Sequence, residues 1–283
     1  DDASTDASAE IARAYAAKDN RIVLMHNELN SGAARTRNRA LDAARGKFIT
    51  FMDADDLCSP ERFAKQLAFF ERHPQTDICG SYYTMFGTRG GENDELKIQV
   101  PLTHEEIQYQ LFFGCPFGMS SVMLRSEPFK RTGIRFRECM AEDYQLWVDL
   151  SEHLRMANIP EYLTFYRRWG DQISTRQLDR QTLSAQLTQQ EQLARKLGVR
   201  LSDDEARIFT RFSLRTGEVK KRELASYRRI LTRLYKAGIR HSHDPKLLKR
   251  QLMRRYKMAC GLFYPSWRVW IHKRLFLVRL LAS

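Results

Sequence analysis

Lys47–Asp56 reads KFITFMDADD. Residues 48–52 are β-branched, aromatic or apolar, and the run is too short for a stable helix, so the pattern predicts a strand. It ends in Asp53, Asp55 and Asp56, three carboxylates within four positions. Like charges that close repel one another. Either a cation offsets them, or they stand apart in water. In open α/β sheets, ligands bind beyond the carboxyl ends of the strands, and an Asp-x-Asp at that place can put two carboxylates beside one divalent ion. Mg²⁺ and Mn²⁺ take oxygen ligands and share them with substrate phosphates. A solvated Asp-rich turn capping the next helix is the alternative, and an isolated Asp-x-Asp does not decide between them.

Outward from this stretch, strand and helix patterns alternate. RIVLM (21–25) reads as a short buried strand. SGAARTRNRALDAARG (31–46) reads as a helix, with Ser31 as its cap, Gly46 as its stop and Ala34, Leu41 and Ala44 on one face. A helix opens at Ser59-Pro60 and ends at His73-Pro74, followed by a strand at 77–86, a turn or hairpin loop at 87–95 and a strand at 120–125. Residues 141–154 are helical, with Leu146, Trp147, Leu150 and Leu154 on one side. This alternation predicts an α/β fold, a mostly parallel sheet with helices on both faces. From about residue 176 only helical patterns rich in Arg, Lys, Gln and Leu remain. The expected division is therefore an α/β domain at 1–175 and a basic α-helical region at 176–283.

Composition narrows the classes. Five scattered cysteines without a C-x-x-C pair argue against a zinc ribbon or disulfide scaffold and fit a reducing, cytoplasmic setting. The longest uncharged stretch, Ile107–Leu124, is interrupted by Gln, Gly and Pro and fails as a spanning helix. No signal-peptide pattern is present. Residues 1–150 hold 18 Lys+Arg against 23 Asp+Glu, and residues 151–283 hold 29 against 11, so the basic surplus lies wholly in the second half. No nucleic-acid-binding motif accompanies it.

Three further features bear on the Asp-x-Asp. DDASTD (1–6) is a second acidic turn, NSGAARTRN (30–38) places Arg37 and Asn38 in the helix feeding the Asp-x-Asp strand, and AEDYQLW (141–147) sets Glu142 and Asp143 at a helix start. Together with GKFITFMDADD, and in this order, these segments resemble glycosyltransferase family 2, of the GT-A fold, over roughly residues 1–175. The resemblance implies an inverting transfer of a hexose or N-acetylhexosamine from a nucleotide-diphosphate sugar, a UDP-sugar first among them, to a hydroxyl of a glycan or lipid-linked acceptor in bacterial surface-polysaccharide assembly. It implies that Asp2 contacts the base, Arg37 lies near the base or diphosphate, Asp53 reaches the ribose or metal, Asp55 ligates Mn²⁺ or Mg²⁺, and Asp143 is the general base. Glu142 and Trp169 are expected as supporting or acceptor-side residues. For Glu142-Asp143 the plain alternative is charge complementing a helix N-terminus. A non-catalytic binding protein on the same fold and a processive synthase are the rival functions.

The sequence departs from the family pattern in three places. It opens on DDASTD, so the family's first strand and following loop are expected to precede Asp1. Trp169 stands where many relatives carry a metal- or diphosphate-binding His, with Asp171 or water as possible substitutes. Only Arg168-Trp169 matches the Gln-x-x-Arg-Trp of processive synthases. Near the C-terminus, residues 244–283 mix Lys and Arg with Phe263, Trp267, Trp270 and Phe276. That composition suits an in-plane helix on the inner face of an anionic membrane, or a packed helical subdomain whose charges are solvated. His241-Ser-His243 reads as a solvated pair.

Overall fold

The computed structural model describes the chain except residues 88–94, 170–171, 173–175, 241–243 and 282–283, and except the side chains of residues 266, 267, 270, 279 and 281. Asp171, the 241–243 pair and the indoles of Trp267 and Trp270 thus lie outside the described residues. Six strands, β1 (Phe48–Thr50), β2 (Leu57–Cys58), β3 (Ile78–Phe86), β4 (Leu96–Ile98), β5 (Met123–Arg125) and β6 (Met156–Arg167), form one sheet in the order β1-β5-β3-β6-β2, with β4 paired to β3. The class is α/β, and the sheet is mixed rather than mostly parallel. Only β3 and β6 run parallel. Strand β5 enters between β1 and β3 in the opposite direction, and β2 and β4 are short antiparallel returns.

Period-two alternation sorts the sheet's side chains to two faces. Ile78 and Leu124 join a core with α2 (Ala33–Ala43), α4 (His104–Leu111), α5 (Ser126–Thr132) and α6 (Glu142–Leu150). Their neighbours Cys79 and Met123 join Phe70 of α3 (Arg62–Arg72) on the other side. Trp147 of α6 is fully buried, its ring against Phe117 and Phe51 with centroids 5.3 and 6.4 Å away, which anchors the start of α6 near the end of β1.

Two expectations are corrected. Residues 21–25 form no strand: Val23 is 78% and Ile22 42% exposed. A strand needs a ladder, and the backbone bonds to Asp1 here number two among the described residues, from the Asp1 amine to Met25 O (2.8 Å) and from the Asn27 N–H to Asp1 O (3.0 Å). Nor does Ser31 cap α2. Gly32 holds the cap position at φ 82°, a left-handed value that favours glycine, and Ser31 Oγ donates back to Leu29 O instead.

Beyond β6 lie α7 (Leu178–Leu197), α8 (Asp203–Leu214), α9 (Leu224–Gly238), α10 (Pro245–Gly261) and α11 (Ser266–Leu281). Their ends are specified locally. Gly198 closes α7 in the left-handed region, Ser202 and Glu205 form a capping box on α8, and Asp244 caps α10 with Pro245 at its first position. These helices bury Phe209, Tyr227, Tyr256 and Phe276 in a second core, which Phe112 and Phe113 enter from the α/β region. Gln189 of α7 also donates to Phe113 O at 3.1 Å. Among the described residues no helix is long and apolar enough to cross a membrane. Phe276 is fully buried, its ring centroid 4.5 Å from that of Tyr256. Phe276→Ala should therefore cost about 3–5 kcal/mol, read as a lowered urea midpoint; an unchanged midpoint would mean that α11 does not belong to the core.

Candidate active site

The start of α2, the end of β1 and the start of α6 converge on Arg37. Its guanidinium donates to Asp53 Oδ1 at 2.8 Å and to Glu142 Oε1 at 2.6 Å. It lies over the Phe136 ring, 5.7 Å from the centroid. Asn38 holds Phe136 in place, its amide and the Phe136 backbone exchanging hydrogen bonds of 2.9 and 3.0 Å. Burial works against the Arg37 charge, but Asp53 and Glu142 outweigh it and leave the guanidinium pKa above its ordinary value. Arg37 thus offsets the first carboxylate of the Asp-x-Asp.

The other two carboxylates are held differently. Asp55 Oδ2 accepts from the Trp169 indole N–H (3.2 Å) and the Gln172 amide (3.3 Å). Asp56 is buried and accepts the Arg167 N–H on Oδ1 at 2.9 Å, while Oδ2 has no hydrogen-bond partner among the described residues. Burial pushes the Asp56 carboxyl up, and the charges of Asp55 and Asp53 push the same way. The repulsion is thus managed by one ion pair, one pair of neutral donors and one buried backbone bond.

Asp143 follows Glu142 on α6. Its Oδ1 accepts the Tyr144 N–H at 2.7 Å, and the Cys115 thiol lies 3.9 Å from Oδ2. The side chain keeps part of its surface open to solvent although protein surrounds it. Burial, together with the charges of Glu142 and Asp53, pushes its carboxyl up to about 6, against the Tyr144 N–H and Arg37. A carboxylate tuned there is ionised at neutral pH yet basic enough to accept a proton. Burial raises the Cys115 thiol well above its ordinary value, which keeps it protonated and able to donate to Asp143.

Arg37, Asp53 and Glu142 are in direct contact, Trp169 touches Asp55, and Asp143 adjoins Glu142. Asp2 stands apart from this network. Its carboxylate accepts from Asn27 Nδ2 and from the Ser31 and Gly32 N–H groups at 2.7–2.8 Å, fixing the turn that starts α2. Burial raises its pKa, but these bonds outweigh that and leave it below the ordinary value. Cys115, Ser120, Phe136 and Gln172 were not predicted as site residues. Of these, Ser120 Oγ accepts the Asp53 N–H at 2.9 Å.

Among the described residues no three His, Cys, Asp or Glu side chains converge as a metal cage. A hard cation that keeps waters and shares substrate phosphates needs only one or two protein carboxylates. Asp55 fits that need: Trp169 and Gln172 orient it through Oδ2, and Oδ1 makes no bond among the described residues. Trp169 cannot replace a ligating histidine, because an indole N–H only donates.

Carboxylates gather beyond the end of a strand with a basic side chain among them, the place where open α/β sheets in general bind their ligands. A sequence model of Glycosyl transferase family 2 matches residues 1–133. The putative glycosyltransferase EpsE of Bacillus subtilis is 33% identical over 208 residues, covering 72% of each chain. The UDP-Glc:alpha-D-GlcNAc-diphosphoundecaprenol beta-1,3-glucosyltransferase WfaP of Escherichia coli is 31% identical over 179 residues, 62% of this chain and 66% of WfaP. Residues 1–349 of S. aureus TarS, solved in complex with UDP-GlcNAc, share the fold at a TM-score of 0.52 and 23% identity, over 84% of this chain and 70% of that one. Several other curated relatives are matched over only 54–58% of their own length. The chain belongs to glycosyltransferase family 2.

Proposed function

We propose that the protein transfers a sugar from a UDP-sugar, with inversion, to a hydroxyl of a glycan or lipid-linked acceptor in surface-polysaccharide assembly. The observation that carries this reading is Asp143, a carboxylate raised to about 6 beside the Arg37–Asp53–Glu142 network. In the proposed step the acceptor oxygen bonds to the anomeric carbon as the bond to the diphosphate oxygen breaks, and the hydroxyl proton passes to Asp143. The names of TarS and WfaP supply the UDP-sugar, and that of WfaP a lipid-diphosphate acceptor. Arg37 holds Asp53 and Glu142 in place and faces the donor side with its positive charge. Asp55, with Asp53, would hold Mn²⁺ or Mg²⁺, whose charge neutralises a leaving diphosphate when bound. Asp2 would face the base from the turn before α2.

A screen of UDP-sugars for Mn²⁺-dependent hydrolysis or thermal stabilisation tests this reading. Asp55→Asn keeps the shape of the side chain and its contact with Trp169 but removes the charge that attracts a hard cation. It should abolish metal-dependent turnover and leave the melting temperature nearly unchanged. Wild-type turnover at limiting Mn²⁺ would remove Asp55 from the metal site.

A further inference from the structure

The last two helices present a surface that the transfer chemistry does not use. On α11, Val269, Phe276 and Leu280 are buried in the helical core. A second apolar stripe on the same helix, Ile271, Leu275 and Val278, is 43%, 53% and 61% exposed. These three residues stand at i, i+4 and i+7 and so share one face. Exposed Arg268 and Arg274 flank them, about 60° round the helix on either side. On α10, which packs against α11, Lys246, Arg250, Arg254 and Lys257 are exposed at i, i+4, i+8 and i+11, a single basic stripe. None of the four makes an ion pair among the described residues. Residues 224–283 hold fifteen Lys and Arg, with Asp244 as the one acidic side chain.

We propose that the α10–α11 pair seats on an anionic lipid surface, Ile271, Leu275 and Val278 entering the headgroup boundary while Arg268, Arg274 and the α10 stripe meet the lipid charges. The two observations select the occupant together. An exposed apolar stripe rimmed by basic side chains is complementary to a bilayer that is apolar inside and negative outside. A second copy of the chain would bring the same dense positive charge against itself. Nucleic acid would satisfy the charges and leave the apolar stripe in water. These helices carry none of the residues assigned to sugar transfer, so vesicle binding and turnover can fail separately.

Deleting α10 and α11 would strip Tyr256 and Phe276 from the core, so the test uses exposed point substitutions in the full chain. Sedimentation with phosphatidylcholine vesicles, with and without a quarter phosphatidylglycerol, reads the binding. The wild type should bind the anionic vesicles far more strongly than the neutral ones. Each basic residue near such a surface contributes roughly fivefold in partitioning, so Lys246→Gln, Arg250→Gln, Arg254→Gln and Lys257→Gln combined should lower binding on the order of 10²-fold or more. Combined Ile271→Ser, Leu275→Ser and Val278→Ser should remove the portion that survives high salt. Both variants should keep the wild-type melting temperature, because every altered side chain is exposed. Equal binding to neutral and anionic vesicles, or wild-type binding by both variants, would overturn the proposal. So would self-association that the triple Ser variant abolishes, or binding to single-stranded DNA in preference to anionic vesicles that this variant leaves intact.

Discussion

Asp143→Asn should lower sugar-transfer turnover by ~10²–10⁴-fold, the range expected for a lost general base, while UDP-sugar affinity stays near wild type. The amide fills the same space and keeps the bond from the Tyr144 N–H. It cannot take up the acceptor's proton. Donor contacts are assigned to Arg37, Asp53, Asp55 and Asp2, none of which hydrogen-bonds Asp143 among the described residues, so binding of the donor has no reason to change. Titration of donor binding alongside steady-state turnover separates the two effects. An equal loss of donor affinity would instead make Asp143 a donor-binding or structural residue.

Arg37→Met should cost turnover about 10²-fold, as a misplaced catalytic constellation does, and should also move the pH profile. Met fills much of the Arg stem and can still pack on Phe136. It leaves Asp53 and Glu142 without their shared cation in a part-buried site. The direction of the pH effect follows from the charges around Asp143. Arg37 favours its ionised form, and Glu142 and Asp53 disfavour it. Removing the cation raises the Asp143 pKa further, so the acid limb of the rate profile should shift to higher pH. Loss of activity in the Arg37→Met variant with its acid limb unmoved would confine Arg37 to donor contact.

Much of this site was legible before the fold was known, because its residues lie in short segments of distinctive order. The KFITFM run, the helix carrying Arg37 and Asn38, and the acidic start of α6 each announce their element through periodicity or through what ends them. Contacts across long sequence separations were not legible. Arg37 meets Glu142 105 positions away, and Asp55 meets Trp169 114 positions away. No local pattern encodes such pairings. Strand β6 was missed because Pro160 interrupts its run and register shifts near Tyr82 break the alternation that marks a strand. Segment 21–25 misled for the opposite reason. Its composition is strand-like, but among the described residues no ladder meets it, and composition alone does not make a strand. On α11, sequence spacing showed basic and apolar residues at helical intervals. It could not show that one apolar stripe is buried and the other exposed, since that depends on where α10 lies.

The most direct test of the central claim, that Asp143 is the base of sugar transfer, is the pH dependence of kcat/KM for the wild-type protein with its UDP-sugar between pH 4 and 9. A base held near the neutral range is fully ionised above its pKa and is lost by protonation below it. The rate should therefore be level at pH 7–8 and fall about tenfold per pH unit below an apparent pKa of about 6. A profile that stays level down to pH 5, or one that falls only below pH 4.5 as an ordinary carboxylate would give, would contradict the assignment.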